Sequence, residues 1–147
     1  MIRLASLGDA DALRTIAVTA YGKYVPRMGR APAPMTADYA EAIRSRQAWA
    51  ASKDGRIAGF AVLVARPGYL LPDNVAVLPT AQNRGIGTRL PGLAEDHARS
   101  LGLSEIRLYT NEAMTENLAC YARRGHAGTR RAEQDGFHRV FFRKPIG

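Results

Sequence analysis

The sequence predicts an α/β or α+β domain, a sheet with helices packed against it. Three observations carry that prediction. Apolar runs of strand length are separated by turn dipeptides, Asp54-Gly55 and Asp135-Gly136 among them. Longer segments with helical spacing end at Gly102 and Gly125. Strand, helix, strand and helix then alternate through the second half of the chain.

Taken in order, Ile2 to Leu4 reads as a short strand. Asp9 is placed to cap a helix whose apolar positions Leu13, Ile16, Ala17 and Ala20 recur at helical spacing. From Gly22 to Pro34, two glycines and three prolines predict a non-helical loop whose tyrosines and arginines suit a binding lid. Thr36 is the expected cap of a second helix reaching about Arg46. A hairpin follows, Ala48 to Ser52 and Ile57 to Ala65, and after Pro67-Gly68 a third strand from about Asn74 to Leu78, stopped by Pro79. A helix spans about Gly85 to Leu101, a strand Ile106 to Thr110, and a helix Thr115 to Arg124. Strands at His126 to Ala132 and Phe137 to Arg143 close the chain. No repeat or linker divides residues 1–147, so one domain is expected.

Composition narrows the class of function. The 147 residues are 46% hydrophobic and 23% charged, close to the average for a globular domain and unlike a disordered chain. No apolar run approaches the length of a membrane span, and Asp9 and Asp11 interrupt any apolar leader, so the expected location is cytoplasmic, away from membranes. The lone Cys120 excludes an internal disulfide, and with His97, His126 and His138 it shows no ligand spacing, so no metal is expected. The net charge of +8 admits two readings, attraction to a phosphate-bearing ligand or solubility, because the arginines are spread from Arg3 to Arg143. Nucleic acid is not expected as a partner: aromatic content is only 7% and no recognition motif accompanies the charge.

The informative stretch begins Asn74-Val75-Ala76-Val77 and continues through Gln82, Asn83, Arg84, Gly85, Ile86, Gly87 and Thr88. A buried strand turns tightly into a helix start, where free N–H groups and the helix dipole form an anion site. Gly85 and Gly87 leave no side chain between those amides and a phosphate. Thr88 offers a hydroxyl, and Arg84 or Arg89 a charge. A nucleotide P-loop would need a lysine before Thr88, and a dinucleotide fingerprint a glycine where Leu90 stands.

The spacing Gln82-x-x-Gly85-x-Gly87 resembles the acetyl-CoA signature of the GNAT acetyltransferase superfamily, and Asn117-x-x-x-Tyr121-x-x-x-Gly125 resembles a second conserved segment of that family. The resemblance covers nearly the whole chain. It implies the GNAT fold: a mixed, mostly antiparallel central sheet, splayed at its middle strands, with helices on both faces. It also implies an N-acetyltransferase that uses acetyl-CoA on an unidentified primary amine by direct attack in a ternary complex. The alternative is a non-catalytic acyl-CoA-binding module on the same fold. A homodimer is compatible with the family.

On that resemblance, Val75, Ala76 and Val77 present backbone groups to the pantetheine arm, and residues 82–88 hold the pyrophosphate. An N–H near Val77 polarises the thioester carbonyl. Tyr121 protonates the departing sulfur, and Asn117, one helical turn earlier, contacts the cofactor. Three positions depart from the pattern. Met114 stands where many relatives place the cofactor asparagine. Pro91 lies inside the signature helix, where a local kink is expected. His126 replaces the usual aromatic after Gly125, a change expected to affect packing. Cys120 reads as buried and inert. Asp73 and Glu112 are the candidate bases, and Tyr24, Arg27, Arg30 and His138 the candidate lining of an acceptor pocket.

Overall fold

The computed structural model describes residues 1–81 and 86–146, with residues 86–88 described through their backbone alone. Among the described residues the chain forms one mixed sheet in the order β1-β2-β3-β4-β5-β7-β6. Its strands are β1 (Ile2–Leu4), β2 (Ala48–Lys53), β3 (Arg56–Arg66), β4 (Tyr69–Val77), β5 (Glu105–Asn111), β6 (Ala127–Gln134) and β7 (Phe137–Pro145). The helices are α1 (Ala10–Tyr21), α2 (Val25–Met28), α3 (Tyr39–Arg44), α4 (Ile86–Ser100) and α5 (Thr115–Arg123). Every pairing is antiparallel except β4 with β5.

The most deeply buried strand is β3, where Ala58 to Leu63 are all buried and no polar alternation survives. Phe60 and Val62 face α1 and α3 with Leu13, Ile16 and Tyr39, while Ala61 and Leu63 face α4 with Leu90, Ala94 and Ala98. Helices therefore cover both faces, as expected. The sheet edges are blunted in two ways: β1 is only three residues long, and β6 is exposed and carries Arg130 and Arg131.

The turn chemistry holds where the sequence places it. Asp54-Gly55 and Asp135-Gly136 both have positive φ at both residues (54° and 78°, 53° and 79°), the mirror-image turn whose twist suits a hairpin. Helix α4 closes at Gly102 with φ 71°, and the Leu103 N–H donates to the Ala98 carbonyl at 2.9 Å.

Several local expectations are corrected. Asp9 does not cap α1; its carboxylate accepts from the Ser6 N–H at 2.8 Å and from Arg3 at 2.7 Å, closing a short turn that leads into the helix. Asp38, not Thr36, caps α3 by accepting from the Glu41 N–H at 3.0 Å, and the helix ends at Arg44 because Arg46 turns left-handed with φ 57°. The loop after α1 holds the helical turn α2, because Pro26 sits in its first turn, where no N–H is needed. Strand β4 starts five residues early, at Tyr69, and accommodates Pro72 at an irregularity in the ladder.

Candidate active site

The parallel pair β4 and β5 touches in register only at Leu70 and Ile106. Beyond that point the two strands diverge, with no further register pair between them. This is the expected splay. On its other side β4 stays paired with β3, so the opening is rigidly framed along one wall.

Within that wall lies a β-bulge. Val62 pairs with Asn74 and Leu63 with Pro72, leaving Asp73 as the extra residue on β4. A bulge re-aims the side chain it carries, and Asp73 faces the cleft. The Tyr109 hydroxyl, from β5, donates to Asp73 at 3.0 Å. Burial, and then the Asp73 charge, raise the Tyr109 pKa. Of the two candidate bases, only Asp73 lines this cleft. Glu112 lies outside it, half-exposed and 3.6 Å from Arg131.

Val75 and Val77 belong to the diverging stretch. The Val75 carbonyl is not open, however: the Tyr21 hydroxyl, at the end of α1, donates to it at 2.9 Å. Ala76 is buried under α1 with its side chain in the core. The expected phosphate-turn residues Gln82, Asn83, Arg84 and Gly85, and the side chains of Ile86, Gly87 and Thr88, lie outside the described residues.

Tyr121 stands where two cavities meet. One, of about 150 Å³, is bounded by Tyr21, Asp73, Tyr109, Asn117, Phe137 and Arg139, with Met28, Pro32 and Pro34 roofing it from the loop after α1. The other, of about 40 Å³, lies between β4, β5, α4 and α5, lined by Pro91, Ala94, Ile106, Leu108, Arg124 and His126. Pro72, Val75 and Tyr121 border both. The Tyr121 ring packs edge-on to His126, with centroids 5.5 Å apart, and tilted on Phe142 at 5.6 Å. Its hydroxyl bonds no other described residue. Burial, reinforced by the neighbouring Cys120, pushes its pKa up to about 12, so the phenol stays protonated at neutral pH.

The other expected residues divide. Asn117 lines the larger cavity and its amide reaches the Thr110 hydroxyl at 3.5 Å and the Met114 sulfur at 3.6 Å. Met114 is 5% exposed and packs under α1. His126 is buried, as a packing role requires, with Nδ1 3.2 Å from the Tyr121 carbonyl; burial lowers its pKa. Cys120 is half-buried, short of the full burial expected. Helix α4 continues through Pro91, whose ring lines the smaller cavity.

None of Tyr24, Arg27, Arg30 and His138 lines the larger cavity. Tyr24 is buried, Arg27 pairs with Glu116 at 2.6 Å, Arg30 stacks on Phe137 at 4.0 Å, and His138 is exposed near Glu133. Sequence reasoning missed Glu116, which binds Lys23 and Arg27 and so ties the loop after α1 to α5; Arg27 chiefly holds its pKa down to about 2. It also missed Tyr21, Tyr109 and Arg139. The signal for Tyr109 was strand alternation: it falls on the face opposite Ile106 and Leu108.

Comparison with known proteins decides the family. The model of the acetyltransferase (GNAT) family matches residues 11–126. The chain belongs to that family. This GNAT-family chain is also 31% identical over 139 residues, 82% of its length, to mycothiol acetyltransferase from Cellulomonas flavigena, of which it spans only 38%. Two solved structures share the fold across 99% of the chain. PaiA N-acetyltransferase from Thermoplasma acidophilum, in complex with coenzyme A, has a TM-score of 0.81 at 18% identity, with 98% of that chain covered. The ribosomal-protein-S18-alanine N-acetyltransferase from Escherichia coli has a TM-score of 0.77 at 19% identity, with 93% covered. Among the described residues no helix is long and apolar enough to cross a membrane, and no group of His, Cys, Asp and Glu side chains is placed to hold a metal ion.

Proposed function

We propose that this GNAT protein transfers the acetyl group of acetyl-CoA to a primary amine by direct attack within a ternary complex. The observation that carries the reading is the meeting of two separately lined cavities at Tyr121, inside the gap between β4 and β5. The diverging edge of β4 and the small apolar cavity beside α4 fit an extended, amide-bearing arm. The turn 82–88 supplies the diphosphate site by the sequence argument given above.

Acetyl-CoA supplies an activated acyl group; the chain supplies position and protons. Val75, its carbonyl held by Tyr21, and Val77 line the arm, and Asn117 and Tyr121 border its end. Tyr121 holds its proton at neutral pH and delivers it toward the sulfur as the bond to the acyl carbon breaks. A departing thiolate, whose thiol has an ordinary pKa of about 8.5, is a much weaker base than this phenolate. Tyr121 therefore acts through a strengthening hydrogen bond, with full transfer uphill. Asp73, held by Tyr109, faces the amine and accepts the proton its nitrogen loses on attack. The larger cavity orients the amine, which is where the entropic advantage of a bound pair arises.

The test is thermal. Coenzyme A and acetyl-CoA are expected to raise the melting temperature, as selective binding to the folded state requires. Gly87→Val is expected to abolish that rise by placing a side chain against the diphosphate. A persisting, undiminished rise in the variant would refute the assignment of the turn. Thiol release over a panel of amines then reports transfer itself.

A further inference from the structure

The larger cavity contains two opposite charges, Asp73 and Arg139, that do not pair with each other. Arg139, on β7, is half-buried and stacks its guanidinium on the Tyr109 ring at 4.3 Å, with the Phe137 ring 5.4 Å away. Its described hydrogen bond goes to a neutral acceptor, the Gln134 Oε1, at 3.0 Å. No carboxylate among the described residues lies within salt-bridge distance of it. That sets it apart from Arg27, Arg107, Arg131 and Arg143, each of which has a carboxylate partner. Asp73 likewise forms no ion pair among the described residues; it accepts from the Tyr109 hydroxyl.

Tyr109 thus separates the two charges, a cation over its face and an anion at its hydroxyl end. They share one cavity without neutralising each other. A cleft so arranged is complementary to a ligand carrying the reverse pair. Asp73 lies on the bulge beside Pro72 and Val75, the residues that border the acyl-donor cavity, so the ammonium end belongs there. Arg139 lies at the hairpin side, near Phe137, so the anionic end belongs away from the acyl donor. The volume, about 150 Å³, suits a compact molecule, and Met28, Pro32 and Pro34 offer an apolar wall without further hydrogen-bond donors.

We infer that the acceptor is a small zwitterionic amine of the amino-acid type, with its ammonium on Asp73 and its carboxylate on Arg139. The inference rests on the transferase reading and deepens it. A planar guanidinium already fixed by stacking loses little freedom on binding a carboxylate in two-point fashion. Where this site offers a cation, a peptide N-terminus brings a neutral amide and a protein lysine a methylene chain.

The experiment compares matched triplets (an amino acid, its amide and its decarboxylated amine) as acceptors, with thiol release as readout. Leucine, methionine and phenylalanine series span the apolar wall. The acid form is expected to exceed the amide in kcat/KM by about tenfold or more, the effect of one charge-assisted contact. In R139Q that ratio is expected to fall to about one, through a raised KM for the acid with kcat retained. Equal use of acid and amide by the native enzyme would overturn the inference. So would a preference for the acid that survives in R139Q, or turnover restricted to peptides and protein lysines. The coenzyme A melting shift is measured alongside. If that shift is present, failure of the acid preference sinks only the acceptor class; if it is absent, the transferase reading and this inference fall together.

Discussion

Tyr121→Phe separates chemistry from packing better than any other single substitution in this site. The ring lies between His126 and Phe142, with centroid separations of 5.5 and 5.6 Å, and a phenyl group preserves both contacts. The lost hydroxyl bonds no other described residue, so no hydrogen bond to a described group is broken and no described partner is stranded. Stability should change by less than about 1 kcal/mol. Removal of a positioned general acid should lower the rate of the chemical step by about 10²–10⁴, or roughly 3–5 kcal/mol of barrier. The pH dependence has a defined sign. Burial raises the phenol pKa to about 12, so native activity should not decline from its ionisation at moderately alkaline pH. Activity should rise with pH as the acceptor amine loses its proton, and then stay level. Single-turnover thiol release, with both reactants saturating, measures the step directly. A variant rate within about threefold of native, at unchanged melting temperature, would remove Tyr121 from proton delivery.

Three further outcomes follow from the described contacts. Tyr21→Phe strands the Val75 carbonyl on the diverging edge of β4 and should cost about 1–3 kcal/mol in urea denaturation. An unchanged midpoint would mean that water replaces the hydroxyl. Asp9→Asn should cost about 1 kcal/mol at neutral pH, a modest figure because the Arg3 pair is solvent-screened. Arg3 chiefly depresses the Asp9 pKa from 3.8 to about 2, so the stabilisation is present above pH 3.8 and disappears as pH falls through about 2. A native-minus-variant difference that stays constant across that window would contradict the assignment. Pro91→Ala restores one helical hydrogen bond inside α4 and should raise stability by about 1–3 kcal/mol. A lower melting temperature would show that packing of the proline ring in the small cavity outweighs the lost bond.

How far the sequence could be read depended on whether the determinant was local. The paired Asp-Gly turns and the glycine-closed helices depend on backbone preferences of one or two residues, and they emerged at the expected places. Element ends were less legible. Ser6 and Asp38 compete with Asp9 and Thr36 for the same role within a few residues, and only geometry decides between them. Strand β4 was read short, from Asn74; Pro72 lies inside the strand, and the bulge that tolerates it is a property of two strands together. At the site, Tyr121 and Asn117 were visible through a motif with fixed spacing on one helix. The expected acceptor-pocket residues were chosen for side-chain type in a loop, and Arg27 and Arg30 proved to be engaged elsewhere. Tyr109 and Arg139 meet across β5 and β7, where Asn111 faces Arg139 in register. Such a meeting has no sequence signature, because strand pairing brings together residues some thirty positions apart.

The near-independence of the two cavity linings has an evolutionary corollary. Among the described residues, only Pro72, Val75 and Tyr121 touch both. Substitutions in the roof at Met28, Pro32 and Pro34, or at Phe137 and Arg139 on the terminal hairpin, can therefore reshape one compartment while leaving the other's walls intact. A scaffold so partitioned can exchange its choice of nucleophile by drift in a loop and a hairpin, without renegotiating how the activated carbonyl is held.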